Sequence, residues 1–302
     1  MVRRDRDVAV RAFGSDYQDF RPRVPASSVE RSQFRGAPCR GTNGRVNQLR
    51  LVDLAGSLRS SFELEGLIAY FPDRWGGVSQ PPYETLNLGF STGDDPGAVV
   101  QNRQRLLAAA DVSLDQLVVP GQIHAAEVVR VGRRDGGEGA TEPSKRLAGK
   151  DVVVLEEPGV FALSLAADCP LVAIADPQTK RAGIAHCGWR GTVAGALPSF
   201  IEAVDPGPEA VALISPAISS RRYPVGLDVI EAISAIPGGE GACQNGSVDL
   251  RIVLYEQLLQ GGFCCNRIAM DRRCSAGNDD LFSHRGDGGR TGRGGLLLGW
   301  NS

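Results

Sequence analysis

The chain has 302 residues, 42% hydrophobic and 23% charged, with seven Cys and only three His: His124, His186 and His284. Three imidazoles cannot furnish a self-contained multicopper oxidase, because one blue-copper centre alone takes two His and a Cys. No apolar run approaches the roughly 20 residues of a membrane span. The net charge of −2 conceals an asymmetry: residues 1–60 hold 12 Arg against six acidic residues, and the remainder is acidic. An acidic body argues against nucleic acid as the main partner.

In chain order, residues 1–60 read as a basic arm without fixed structure, rich in Arg, Ser, Gly and Pro and lacking periodicity. MVRRDRDVAV is charged but no apolar segment follows it, so no secretory signal is expected. Seven cysteines without regular spacing point to a reducing cytoplasm. Residues 61–302 read as one α/β domain. A short strand at Leu67–Tyr70 leads into a long loop over 72–95. A helix opens at Asp95-Pro96, with Asp as N-cap and Val99, Val100, Leu106 and Leu107 on its apolar face. Strands are expected at 117–120, 127–132, 151–155, 161–167, 171–176 and 181–186. A helix over 192–204, a strand over 210–214, helices over 227–235 and 248–260 and a last strand over 295–299 complete the chain. Several strands follow one another with no helix between them, which predicts a mixed sheet rather than a doubly wound parallel one.

The chemistry concentrates in 161–191, FALSLAADCPLVAIADPQTKRAGIAHCGWRG. Two β-rich runs flank Pro177–Lys180, a short hairpin loop. Pairing about that loop sets residue i opposite one near 357 − i, so His186 faces Leu171 and Cys169 lies at the same open end. A neighbouring Cys and His admit three readings: a nucleophile with its base, a metal site with borderline ligands, or a buried thiol beside a structural imidazole. His124, in VVPGQIHAAEVVRV, sits between two β-like runs at a strand edge. Two His and one Cys from three strand ends form a three-ligand set with an open fourth position, the arrangement of a catalytic zinc. Cys187 neighbours His186 but points to the opposite face of its strand.

These motifs resemble the family first named as multicopper polyphenol oxidases, or laccase-domain proteins, and later understood as purine nucleoside phosphorylases with adenosine deaminase activity. The matching segments include DRWGGVSQPPYETLNLGFSTGDDP (73–96), NRQRLL (102–107), VVPGQIHAAEVV (118–129), GIAHCGWRGTVAGAL (183–197) and DLFSHRGDGGRTGR (280–293). The resemblance implies a sandwich similar to the cytotoxic-necrotizing-factor deamidase domains, with zinc on His124, Cys169 and His186 and copper only as a second choice of metal. It implies phosphorolysis of adenosine, inosine, guanosine and methylthioadenosine, and deamination of adenosine to inosine. Nucleosides and phosphate are then the partners, with no nucleic acid or membrane, in a monomer or homodimer. The sequence departs from the family pattern at Ala125, Ala166, Cys187, Ser219 and His284. Substitutions in the cleft bear on substrate preference.

Asp168, beside Cys169, is the expected general acid or base, with Cys169 and His186 in the catalytic set. Phosphate is expected against the GWRG turn, where Arg190 enters a helix, and against Arg74, Arg285, Arg290 and Arg293 in Gly-rich loops. Asn87, in LNLG, is expected to shape its loop or line the cleft. His284 reads as a non-ligand. Cys264 and Cys265 read as a plain turn, since a disulfide between neighbours is strained. Two alternatives stand beside the zinc enzyme: a metal-free hydrolase or deamidase with Cys169 as nucleophile and His186 as base, and a non-catalytic binding module.

Overall fold

The computed structural model describes residues 58–59 and 64–302. Its strands are β1 (Leu58–Arg59), β2 (Leu67–Pro72), β3 (Leu117–Val118), β4 (Val128–Val131), β5 (Val152–Leu155), β6 (Phe161–Ala166), β7 (Leu171–Ala175), β8 (Ala182–His186), β9 (Val211–Ile214), β10 (Cys243–Gln244), β11 (Ser247–Val248), β12 (Ile268–Met270) and β13 (Gly294–Trp300). Its helices are α1 (Pro96–Ala108), α2 (Trp189–Val193), α3 (Ala196–Val204), α4 (Leu227–Ser234) and α5 (Leu250–Gln260). β1 lies inside the stretch expected as an arm, and the rest of that arm lies outside the described residues. No described helix is long and apolar enough to cross a membrane.

The strands form two large sheets and one small hairpin. One sheet has the order β1-β2-β13-β6-β3 and the other β12-β9-β7-β8-β5-β4, while β10 pairs with β11. Pairing is mixed, as expected: β4–β5 and β9–β12 are parallel, while β5–β8, β7–β8 and β7–β9 are antiparallel. Alternate residues of each strand serve two cores. Val153, Leu155, Leu171 and Ala173 of one sheet meet Ala69, Leu296 and Leu298 of the other in the central core. Val152, Val154, Val172 and Ile174 face outward against Phe200 of α3 and Leu254 of α5. On the far side, Leu163 and Leu297 pack against Leu106 and Leu107 of α1. Burial on both faces explains why these strands read as continuous apolar runs rather than alternating ones.

Local sequence accounts for the helix ends. The Asp95 carboxylate accepts the N–H groups of Gly97 and Ala98, with Pro96 in the first turn. Asp249 caps α5 in the same way, through Arg251 N–H. The helix expected over 192–204 is two helices. It begins at Trp189 and breaks at Gly195, whose φ of 86° lies in the left-handed region that glycine adopts freely. Arg190 therefore lies inside the first turn of α2, not in a loop ahead of a long helix. The buried face of α1 also differs from expectation. Val100 is only half-buried, and Asn102 and Arg103 are buried in full. β12 and the β10–β11 hairpin were not foreseen. Cys264 and Cys265 sit at a short turn before β12, and no disulfide forms among the described cysteines.

Candidate metal centre and cleft

The hairpin register is the one the loop predicts: Leu171 pairs with His186 and Val172 with Ala185. His186 ends β8, and Cys169 precedes β7 across one proline. Cys187 N–H bonds the Pro170 carbonyl at 2.9 Å, which continues the ladder past the strand ends. His124 arrives from the segment between β3 and β4. Its φ is 66°, unusual for a residue with a side chain.

One buried carboxylate holds that conformation. Asp151 accepts the peptide N–H groups of Ile123, His124 and Ala125 at 2.9–3.0 Å. The same carboxylate lies 2.7 Å from His186 Nδ1. Asp151 thus fixes the backbone of one histidine and the ring of another. Its own pKa results from opposed effects. Burial pushes it up, and the hydrogen bonds from His186, Ile123 and Ala125 pull it below the ordinary carboxylate value.

The ligating atoms of His124, Cys169 and His186 lie within 4.8 Å of one another, the one such group among the described residues. Cys169 Sγ is 3.8 Å from His124 Nε2, and the two imidazoles meet edge to face with centroids 4.8 Å apart. Gly188 makes room for them. A Cβ there would stand 2.5 Å from His124 Cδ2 and 3.1 Å from Cys169 Sγ. Burial alone would raise the Cys169 thiol, but hydrogen bonds and charge from His124 and His186 bring it down to about 6. Burial would lower His186, yet Asp151 and Cys169 raise it to about 9. These three side chains can hold a metal ion. Cys187 faces the outer core instead, where burial drives its thiol up.

The group opens on a cleft of about 560 Å³ that Arg103, Arg190, Arg285 and Arg293 also line. Arg190 is stacked on Trp189 at 4.4 Å and Arg285 on Tyr223 at 5.0 Å. Arg285 also donates to the Pro224 carbonyl, and Arg293 to the carbonyls of Thr291 and Gly292. His284 lines the cleft without joining the ligating group. Asp168 shares the wall, and its carboxylate accepts hydrogen bonds from Ser275, Ser283 and Arg285 N–H.

Two expected cleft residues are used elsewhere. Arg74 donates to the Glu84 carbonyl, pairs with Asp287 at 3.6 Å and covers the Phe282 ring, outside the main cleft wall. Asn87 is fully buried. Its amide nitrogen donates to Gly89 O, Thr92 and Asp94, and its oxygen accepts from Gly89 and Arg293 N–H, so it shapes the loop. Asp151 and Arg103 were missed. Asp151 was within reach of a register argument, because β5–β8 pairing sets it opposite His186. Arg103 donates to three carbonyls, of Leu88, Gly139 and Ala140, and reads from sequence as a surface helix residue.

Comparison with known proteins places the chain in a family. Residues 68–301 match the family model described as multi-copper polyphenol oxidoreductase laccase. The chain is 33% identical over 242 residues to "Purine nucleoside phosphorylase YlmD" of Geobacillus stearothermophilus, covering 76% of this chain and 88% of that protein. It is 36% identical over 227 residues to "Purine nucleoside phosphorylase SCO2081" of Streptomyces coelicolor, covering 72% and 89%. The crystal structure of the hypothetical protein YfiH from Bacillus licheniformis superposes with a TM-score of 0.78 at 30% identity, covering 84% of this chain and all of that one. The crystal structure of the Geobacillus YlmD gives 0.72 at 30% identity, covering 78% and 93%. With a common fold across most of its length and the family model spanning residues 68–301, the chain belongs to the multi-copper polyphenol oxidoreductase laccase family.

Proposed function

We propose that this chain is a zinc-dependent purine nucleoside phosphorylase that also deaminates adenosine. The observation that carries the reading is the opening of the His124–Cys169–His186 group onto a cleft with four guanidiniums. The donor set suits zinc, whose tetrahedral bonds of about 2.05 Å to nitrogen and 2.3 Å to sulfur put such ligands roughly 3.6 Å apart, against 3.8 Å between Cys169 Sγ and His124 Nε2. Copper is the second choice for the same donors. Zinc held there supplies Lewis acidity to the cleft.

The chain's own residues account for the rest. Arg190, Arg285 and Arg293 hold phosphate against the anomeric carbon. A phosphate oxygen bonds to that carbon as its bond to the purine nitrogen breaks, and the purine leaves with a proton. Forked guanidinium donors match phosphate oxygens in pairs. Trp189 and Tyr223 give the base flat apolar surfaces. In deamination, water replaces the amino group of adenosine at C6 and ammonia leaves. Adenosine, inosine, guanosine and methylthioadenosine are the proposed substrates. The reducing cytoplasm is the proposed compartment, in keeping with six described cysteines that form no disulfide.

A second reading has its own support. Cys169 as a thiolate, His186 beside it and Asp151 orienting that histidine repeat the nucleophile–base–orienter logic of a metal-free cysteine hydrolase. Metal analysis of protein purified without added metal separates the two. About one zinc per chain, lost on Cys169→Ala, supports the phosphorylase. Alkylation-sensitive turnover with no bound metal supports the hydrolase. Incubation with adenosine then reads the reaction: adenine appearing only with phosphate marks phosphorolysis, and inosine in either case marks deamination.

A further inference from the structure

A carboxylate stands among the guanidiniums of the cleft. Asp168 lines the same wall as Arg190, Arg285 and Arg293. Burial lowers the Arg293 guanidinium, and the charge of Asp168 opposes that effect, so the two groups sense each other. In a cleft that receives an anion, such a charge repels the ligand and weakens binding. Its presence calls for a compensating structural role.

The hydrogen bonds supply one. Oδ1 of Asp168 accepts the hydroxyls of Ser275 and Ser283, each at 2.6 Å. Oδ2 accepts the peptide N–H of Arg285 at 2.7 Å. The Ser283 hydroxyl in turn accepts Gly286 N–H at 2.9 Å, and Asp287 N–H bonds the Ser283 carbonyl at 2.9 Å. One carboxylate therefore closes the turn that carries Arg285, from the far side of the chain. Asp168 does this at a φ of 100°, a conformation sparsely populated by residues with side chains. Ile218 N–H bonds its carbonyl at 2.9 Å and helps hold it there.

We infer that Asp168 is a positioning residue for the anion subsite, pinning the 283–287 turn so that Arg285 is presented to phosphate. The inference takes the identity of the anion from the phosphorylase reading, and its geometry from the hydrogen bonds alone. Two opposed effects make it testable. If Asp168 acted only through its charge, removing it would tighten anion binding. As an anchor, its removal loosens the turn and weakens binding.

Calorimetric titration of the full chain with inorganic phosphate reads the sign directly. Asp168→Gly suits the positive φ while deleting the anchor, and Ser283→Ala loosens the same turn with the charge retained. Affinity is expected to fall about tenfold in the first and about threefold in the second, the scale of lost hydrogen bonds, with metal content unchanged. In adenosine phosphorolysis, KM for phosphate rises while kcat and its pH profile hold. Tighter or unaltered phosphate binding in Asp168→Gly overturns the inference. So does unaltered binding in Ser283→Ala, or a collapse of kcat with affinity intact, which would mark Asp168 as an acid or base. A wild-type chain that binds phosphate but leaves adenosine uncleaved overturns the phosphorylase reading alone. One that binds no phosphate overturns both.

Discussion

Asp151 supports the candidate metal site from behind the ligands, because its carboxylate serves both histidines. Replacement by Asn retains the size but turns an acceptor into a donor toward peptide N–H groups that need an acceptor. Metal affinity is expected to fall roughly 10–100-fold, the usual cost of losing a partner that orients a ligand. Competition with a chelator measures it, and an unchanged affinity would show that His124 and His186 hold their places unaided. Cys169 gives a second prediction, for metal-free protein. Its thiol is drawn down to about 6, so the thiolate persists above that pH and protonates below it. Alkylation by iodoacetamide should therefore rise through pH 6, far below the range of an ordinary cysteine, while buried Cys187 stays unlabelled until the chain unfolds. A rise centred near pH 9 would contradict the assigned environment.

Among the elements, the β7–β8 hairpin was legible in the sequence and α2 was not. A four-residue loop sets register by local geometry, so Leu171 opposite His186 followed from the loop alone. The break at Gly195 needs a φ that periodicity does not report. Asn102 and Arg103 were hidden because their burial depends on carbonyls from distant loops, which α1 alone does not reveal. The entry to α2 explains Gly188. Gly188→Ala is expected to release metal by pressing on His124 and Cys169, whereas the fold persists because the clash is with side chains at a cleft edge. Circular dichroism alongside metal content checks both halves, and retained metal would refute the packing argument. Asp95→Ala removes the α1 cap and should cost about 1 kcal/mol, read as a modest fall in Tm.

At the scale of the molecule, two sheets back onto one core, and β8 is the strand around which they close. Gly183 lies there with the Val153 carbonyl 2.5 Å and the Phe200 ring 2.6 Å from where a Cβ would stand. Gly183→Ala must part the sheet from α3 and should cost about 1–3 kcal/mol, lowering Tm by roughly 2–4 °C for each kcal/mol in a domain of this size. The sheet order itself was beyond sequence reasoning. β13 slots between β2 and β6 across more than a hundred residues of intervening chain, a pairing no local signal encodes. The mixed class was legible, since strands without intervening helices cannot all be parallel. The site follows from that closure, with Cys169 and His186 at the shared end of β7 and β8 and His124 reaching them from the loop between β3 and β4 rather than from a strand end, beside an arginine-lined cleft. The most direct test is to strip the chain of metal with a chelator, return zinc stepwise, and follow adenine released from adenosine in phosphate. The account predicts release that climbs to a plateau at one zinc per chain and is absent in Cys169→Ala. Full release from the stripped protein, or none at any zinc loading, would contradict it.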